Sequence, residues 1–205
     1  MIRTENIKKL SGNESTACFS NGENYTFSTE ELCAFHIREG REYTQEEYET
    51  LIHNVTVQRA KLIVMPYVIY TKRTEKQVYD KIKSSGYSEE VASALTEELK
   101  EKEYIDDRDY CRKYLKKSLD KGDSIQKMLY DLKEKGVSLS VAEEVMQEFS
   151  PEDVDQARIL LNKKLRTGGK KDYNKLAGYL LRKGFPGGIV RKVLQESDIG
   201  RNEEY

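Results

Sequence analysis

Tryptophan is absent from this 205-residue sequence, and cysteine, proline and histidine are scarce, at three, three and two residues. Cys18, Cys33 and Cys111 are scattered, odd in number and form no Cys-x-x-Cys pair. A disulfide framework and a cysteine-built zinc site are therefore not indicated, and a reducing cytoplasm is the expected setting. His36 and His53 lie among helical residues with no partner ligand, so no metal site is expected. No apolar run approaches the roughly 20 residues of a membrane-spanning helix, and Met1–Leu10 has no apolar core of a signal peptide. No Gly-x-x-x-x-Gly-Lys stretch is present to cradle a phosphate. The tightest acid cluster, Asp106, Asp107 and Asp109, has no histidine or cysteine placed to complete a hydrolytic site, and helix capping accounts for it. The chain is read as a non-enzyme without a cofactor.

Charge is abundant instead. Asp, Glu, Lys and Arg make up 35% of the residues, and the net charge is −1. That near-neutral total conceals segregation. Residues 1–57 hold five Lys/Arg against ten Asp/Glu, and residues 136–157 hold six acids and no cation. Residues 108–135 hold nine cations against five acids, and residues 158–192 hold eleven against one. Segregation of this kind concerns partners rather than fold.

The chain is organised by an internal repeat. Around Thr74–Leu119 the pattern reads helix, glycine break, helix, Tyr-Ile-Asp-Asp and another helix. Thr74 and Gln77 fit a capping box, Gly86 a left-handed helix end, and Ser88 the next cap, with Glu89 and Glu90 in the first turn. Gly86, Gly136 and Gly184 are 50 and 48 residues apart, and superposing them aligns five further positions. Val78, Met128 and Leu176 match, as do Ile82, Leu132 and Leu180, then Tyr87, Val137 and Phe185. Val91, Val141 and Ile189 follow, and Leu95, Val145 and Val193 close the register. Agreement of glycine and apolar stripe marks tandem repeats of a helical unit.

The expected fold is mainly α: three tandem three-helix repeats at 57–106, 107–152 and 153–197, preceded by a small β-plus-helix domain at 1–56 and followed by a frayed acidic tail at 198–205. Asn21-Gly22 signals a two-residue hairpin, and Ser11-Gly12-Asn13 another turn. Ser28 with Glu31 and Thr44 with Glu47 offer capping boxes for helices over the sheet. Ala60–Lys72 is expected to open the first repeat, with Pro66 either starting that helix or kinking it. Ser140 with Glu143 reads as a further box, and Ser150-Pro151-Glu152-Asp153 as a helix start with proline at its first position. Pro186-Gly187-Gly188 replaces the capping serine and acids in the last repeat.

The cations are the binding candidates. Arg108, Arg112, Lys113, Lys116 and Lys117 fall on one helix, with Arg112/Lys116 and Lys113/Lys117 each on a shared face. Arg158, Lys163, Lys164, Arg166, Lys170, Lys171, Lys175, Arg182, Lys183, Arg191 and Lys192 crowd the third repeat, offset there by Asp172 alone. A charge run is commonly only a solvated face, but repulsion this uneven is relieved by an anionic partner, either nucleic-acid phosphate or an acidic protein groove. Tyr114, Tyr173 and Tyr179 could stack on bases, although packing between repeat helices suits Tyr114 and Tyr179.

Gly-Tyr-Ser-Glu-Glu at 86–90 and Tyr-Ile-Asp-Asp at 104–107 with Tyr110 resemble the first repeat of the bacterial RecX regulatory proteins. The resemblance continues through Leu132-Lys-Glu-Lys-Gly-Val137, Leu181-Arg-Lys-Gly-Phe185 and Ile189-Val-Arg-Lys-Val193, and covers about residues 58–195. It implies an extended, curved array of three-helix repeats and a non-enzymatic modulator of the recombinase RecA. Such a protein binds the RecA filament on single-stranded DNA, lowers its ATPase activity and strand exchange, and acts in DNA repair and the SOS response. The cations named above would then meet RecA or DNA, and the protein would act as a cytoplasmic monomer. Pro66 and Pro-Gly-Gly at 186–188 depart from the family pattern. A general nucleic-acid-binding repeat module acting without RecA is the alternative.

Overall fold

The computed structural model describes residues 1–149, 151–167 and 172–199. Among these described residues four strands and ten helices follow in chain order, mainly α with a small sheet at the N-terminus. They form two compact units, Met1–Tyr67 with Lys81–Glu98, and Val68–Asp80 with Leu99–Tyr205.

In the first unit β1 (Ile2–Lys9), β2 (Glu14–Phe19), β3 (Asn24–Ser28) and β4 (Glu42–Tyr43) form an antiparallel sheet of order β3-β2-β1-β4. Gly12 takes a left-handed φ of 73° at the first turn. At the second, Phe19 N–H donates to Glu23 C=O at 2.9 Å, leaving three residues in the turn rather than the expected two. Helix α1 (Thr29–Ala34) starts at the Ser28/Glu31 capping box, with both reciprocal bonds formed. Alternation along the strands sends Ile2, Ala17, Phe19 and Phe27 to one face, which Tyr48, Leu51 and Val55 of helix α2 cover. Phe19 meets Tyr25, Phe27, Tyr43 and Tyr48 edge to face. Arg59 closes this unit with a two-pronged bond to Glu31 (2.6 and 2.7 Å) and a third to Thr26 C=O (2.6 Å), and it holds the Glu31 carboxyl below its ordinary pKa.

Helix α2 is continuous from Gln45 to Tyr70, 26 residues, started by the Thr44/Glu47 box. The boundary expected after residue 56 falls inside it, and Pro66 neither starts nor ends it. The reason is position: Pro66 lies on the exposed side, in line with Leu62, which is 78% exposed. The carbonyl that the missing N–H would have served can thus turn to water. Helix α3 (Glu75–Ser84) carries the Thr74/Gln77 reciprocal cap, and α4 (Glu89–Glu101) is capped by Ser88 through Val91 N–H at 3.3 Å.

The second unit holds two helix triplets with their own cores. Helices α5 (Asp107–Lys121), α6 (Ile125–Glu134) and α7 (Leu139–Phe149) bury Cys111, Leu115, Met128, Leu132, Val137 and Val145. Helices α8 (Asp153–Arg166), α9 (Tyr173–Arg182) and α10 (Gly187–Glu196) bury Ala157, Leu161, Leu176, Leu180, Phe185 and Val193. Four of the aligned apolar pairs, Met128/Leu176, Leu132/Leu180, Val137/Phe185 and Val145/Val193, are core positions, while Val141 and Ile189 pack partly buried against the same cores. Three ends differ from expectation. Ser138, two residues before Ser140, caps α7 through Val141 N–H. Pro151 precedes α8, whose N-cap is Glu152 without a side-chain bond, and Ser150 lies outside the described residues. Ile199, placed in the tail by the sequence reading, is 2% exposed in the last core, and its N–H donates to Leu194 C=O; residues 200–205 lie outside the described residues.

The same joint occurs twice. Thr74 Oγ1 donates to Lys135 C=O (2.5 Å), and Asp107 Oδ1 accepts from Glu75 N–H (2.8 Å). Ser124 Oγ donates to Lys183 C=O (2.9 Å), and Asp153 Oδ1 accepts from Ile125 N–H (2.9 Å). The N-cap of one repeat's middle helix thus docks on the glycine corner of the next, and the next repeat's first-turn aspartate satisfies an orphan donor. Gly136 and Gly184 serve this twice over. Their φ values are 89° and 86°, and a Cβ would lie 2.2 Å from Lys76 Cβ at the first and 2.8 Å from Ser124 Oγ at the second.

Candidate partner-binding face of the repeats

The structure sorts the sixteen candidate cations by what they already touch. Arg112 on α5 makes a two-pronged bond to Glu148 on α7, both arms 2.9 Å. Arg158 on α8 reaches Glu196 on α10 at 2.8 Å and Asp155 at 2.6 Å. Placed over one another in the repeat, these are the same clamp between the first and third helices. Arg108 adds a bridge to Glu144. The arginines hold the carboxyls of Glu144, Glu148 and Glu196 below the ordinary glutamate range through these hydrogen bonds, and their own pKa values rise in turn. All these groups are solvated, so the bridges contribute alignment more than stability. Lys113 pairs with Asp109 at 2.8 Å, and the Lys163 ammonium donates to Asp120 C=O.

The other cations face outward. Lys116, Lys117, Arg166, Arg182, Arg191 and Lys192 are exposed, and among the described residues no carboxylate pairs with them. Lys175 stands 3.5 Å from Asp172, itself the cap of α9. Lys170 and Lys171 lie outside the described residues.

Three side chains of the third repeat come together. Tyr179 is half-buried on α9, with Lys164 from α8 5.5 Å and Lys183 6.0 Å from its ring centre. Lys175, Tyr179 and Lys183 follow at four-residue spacing and share a helix face. A ring flanked by ammonium groups, with further unpaired cations nearby, attracts anions and leaves an aromatic surface for a planar group. The second repeat carries a weaker version: Lys135 lies 6.0 Å from the Tyr114 ring, while the Tyr114 hydroxyl donates to Asp131 at 2.6 Å and is raised in pKa by burial and that bond. Lys135 was not among the candidates, although the repeat alignment that pairs Gly136 with Gly184 pairs Lys135 with Lys183. Of the acid cluster, Asp106 caps α5 through Arg108 and Asp109 N–H, and Asp107 serves the joint. Among the described residues no group of three His, Cys, Asp or Glu could hold a metal, and no helix is long and apolar enough to cross a membrane.

Tandem three-helix modules joined by these hydrogen bonds, with a β-sheet at the N-terminus, define a helical-repeat protein. The family model described as RecX, third three-helix domain, matches residues 151–194. Regulatory protein RecX of Caldanaerobacter subterraneus subsp. tengcongensis is 26% identical over 196 residues, covering 95% of this chain and 98% of its own. Regulatory protein RecX of Clostridium botulinum is 38% identical over 132 residues, 61% of this chain and 62% of that one. Among solved structures, a crystal structure of regulatory protein RecX superposes with a TM-score of 0.64 at 19% identity, covering 94% of this chain and 98% of the other, and so shares the fold. RecX from Lactobacillus salivarius superposes with a TM-score of 0.57 at 25% identity, covering 72% and 99%. The chain is thus similar to RecX regulatory proteins over nearly its whole length and shares their fold.

Proposed function

We propose that this protein regulates the RecA recombinase in the cytoplasm, by binding the RecA filament on single-stranded DNA and lowering its ATPase activity and strand exchange. The observation that carries the reading is the cationic surface of the third repeat around Tyr179, where Lys164 and Lys183 have no carboxylate partner among the described residues, in a chain similar to RecX regulatory proteins. Cations without internal partners have their anions elsewhere, and a nucleoprotein filament offers both phosphate and acidic side chains. Binding across neighbouring protomers would oppose the movements that accompany ATP turnover. A titration of RecA ATPase on single-stranded DNA tests this. The wild type is expected to depress turnover, and Lys164→Glu with Lys183→Glu to shift the half-effect concentration upward about tenfold, an order typical of reversing two phosphate-facing charges. No depression at stoichiometric excess rejects the reading.

Direct nucleic-acid binding without RecA is the second reading, favoured by the cation-flanked ring of Tyr179. It predicts that affinity for single-stranded DNA falls steeply and log-linearly with salt, and that Tyr179→Ala costs about 1–3 kcal/mol of binding. Undetectable binding at low salt removes it.

A further inference from the structure

On the third repeat, α9 and α10 enclose an open groove of about 370 Å³. Its lining is mostly apolar, from Ala177, Leu181, Val190 and the ring of Tyr173, with Asn174 beside them, and Leu181 is left 51% exposed. Gly178 and Gly187 open it, and Arg191 stands at its edge.

The repeat alignment shows what is unusual here. Where the third repeat has Gly178, Leu181, Gly187 and Arg191, the second has Tyr130, Lys133, Leu139 and Glu143. Two bulky side chains are replaced by glycine, a lysine by leucine, and an acid by an arginine. The fold does not ask for these glycines. Neither takes a left-handed φ. A Cβ at Gly178 would meet only the flexible end of Arg182 at 3.5 Å, and a Cβ at Gly187 would meet nothing within 4 Å. Glycine within a helix is the least favourable residue after proline. Gly178 therefore weakens α9 with no gain in backbone geometry or internal packing, and what it leaves is space above an apolar floor.

We propose that this groove docks an acidic peptide segment of a partner protein, one aliphatic or aromatic side chain seated between Gly178 and Gly187 and flanking carboxylates facing Arg191 and Arg182. Charge selects the occupant. Arg182 and Arg191 are exposed, and no carboxylate among the described residues pairs with them. Three aliphatic side chains, Ala177, Leu181 and Val190, line the groove against the single ring of Tyr173, and the cation-flanked ring of Tyr179 is not part of the lining, so the surface suits an apolar side chain better than a nucleobase. A groove of this size, apolar with a few charged groups at its rim, has the make-up of a recognition pocket. The proposal does not depend on the identity of the filament partner.

The test uses the full chain, without RecA or DNA. A set of fluorescein-labelled twelve-residue acidic peptides, each with one central Leu, Ile, Met, Val, Phe or Tyr, is titrated by fluorescence polarisation at low salt. At least one anchor is expected to bind. Replacing that anchor with Ser, filling the groove with Gly178→Tyr, and Arg191→Glu are each expected to weaken binding tenfold or more. Gly187→Leu is the second filling variant should Gly178→Tyr not keep its circular dichroism melt. If no peptide of the set binds, or binding persists unchanged in the filled variants, or an oligonucleotide binds with the same sensitivity to groove filling while the peptides do not, the proposal is wrong. RecA ATPase regulation is measured separately, so either reading can fail alone.

Discussion

At the scale of single residues, Asp107 shows how one side chain serves two elements. It begins α5 yet spends its carboxylate on Glu75 N–H, an orphan donor of α3, while Asp106 supplies the cap of α5. Burial raises its pKa above the usual aspartate value, only partly opposed by the bond from Glu75 N–H. An acid with a raised folded-state pKa binds its proton more tightly folded than unfolded. The stability it contributes is therefore fully present below the ordinary aspartate pKa and is lost as pH rises through the raised one. Asp107→Asn keeps an oxygen acceptor and removes the charge, so its stability relative to wild type should improve as pH rises from 4 to 7. Asp107→Ala leaves the Glu75 N–H without an acceptor and should cost about 1 kcal/mol at neutral pH. Urea unfolding of the three proteins at several pH values checks both statements, and a flat difference between Asn and wild type would contradict the first.

Between elements, the recurring joint makes a sharper statement. Ser124 caps α6 through Lys127 N–H and also donates to Lys183 C=O, while Gly184 leaves room for its hydroxyl. Ser124→Ala should cost about 1–2 kcal/mol. Gly184→Ala meets the left-handed backbone penalty of about 1 kcal/mol and in addition a Cβ crowding Ser124 Oγ. The crowding vanishes once the hydroxyl is gone, so the double mutant should be less destabilised than the two single changes added together. Equal sums would show that the glycine answers to φ alone. These elements also show what could be read beforehand. The boxes at Ser28/Glu31, Thr44/Glu47 and Thr74/Gln77 were legible because donor and acceptor lie three residues apart. Pro66 was not, because whether its helix continues depends on which side faces water. Ser138 and Ser140 are equally good caps, and local chemistry does not choose between them. The arginine clamps join residues 36 to 38 apart, so Arg108, Arg112 and Arg158 look like free cations until the helices are packed. The hydroxyl bonds of the joints span 59 and 61 residues and their aspartate bonds 28 and 32, so they surface in the sequence only as hydroxyl and aspartate positions that recur with the glycines.

For the molecule as a whole, the consequence of uneven charge is energetic. Residues 158–192 hold eleven cations and one acid. Among the described residues Arg158 pairs with Asp155 and Glu196, and Lys175 with Asp172, which leaves the face around Tyr179 repelling itself. Such repulsion lowers the stability of the folded state, and any polyanion that binds the folded chain restores it by mass action. Inorganic polyphosphate at about 100 times its dissociation constant should add roughly 2.7 kcal/mol, which for a chain of this length raises Tm by about 5–10 °C. Sodium chloride at matched ionic strength screens the same repulsion without occupying the face and should raise Tm less. Lys164→Glu with Lys183→Glu should remove most of the polyphosphate effect. Arg108→Gln should leave it intact, because that guanidinium already belongs to Glu144. Scanning calorimetry of the three proteins separates the alternatives. A polyphosphate shift no larger than that of salt, or one equally sensitive to Arg108, would mean that the cations act as a diffuse solvated coat and that the face around Tyr179 has no special claim on an anionic partner.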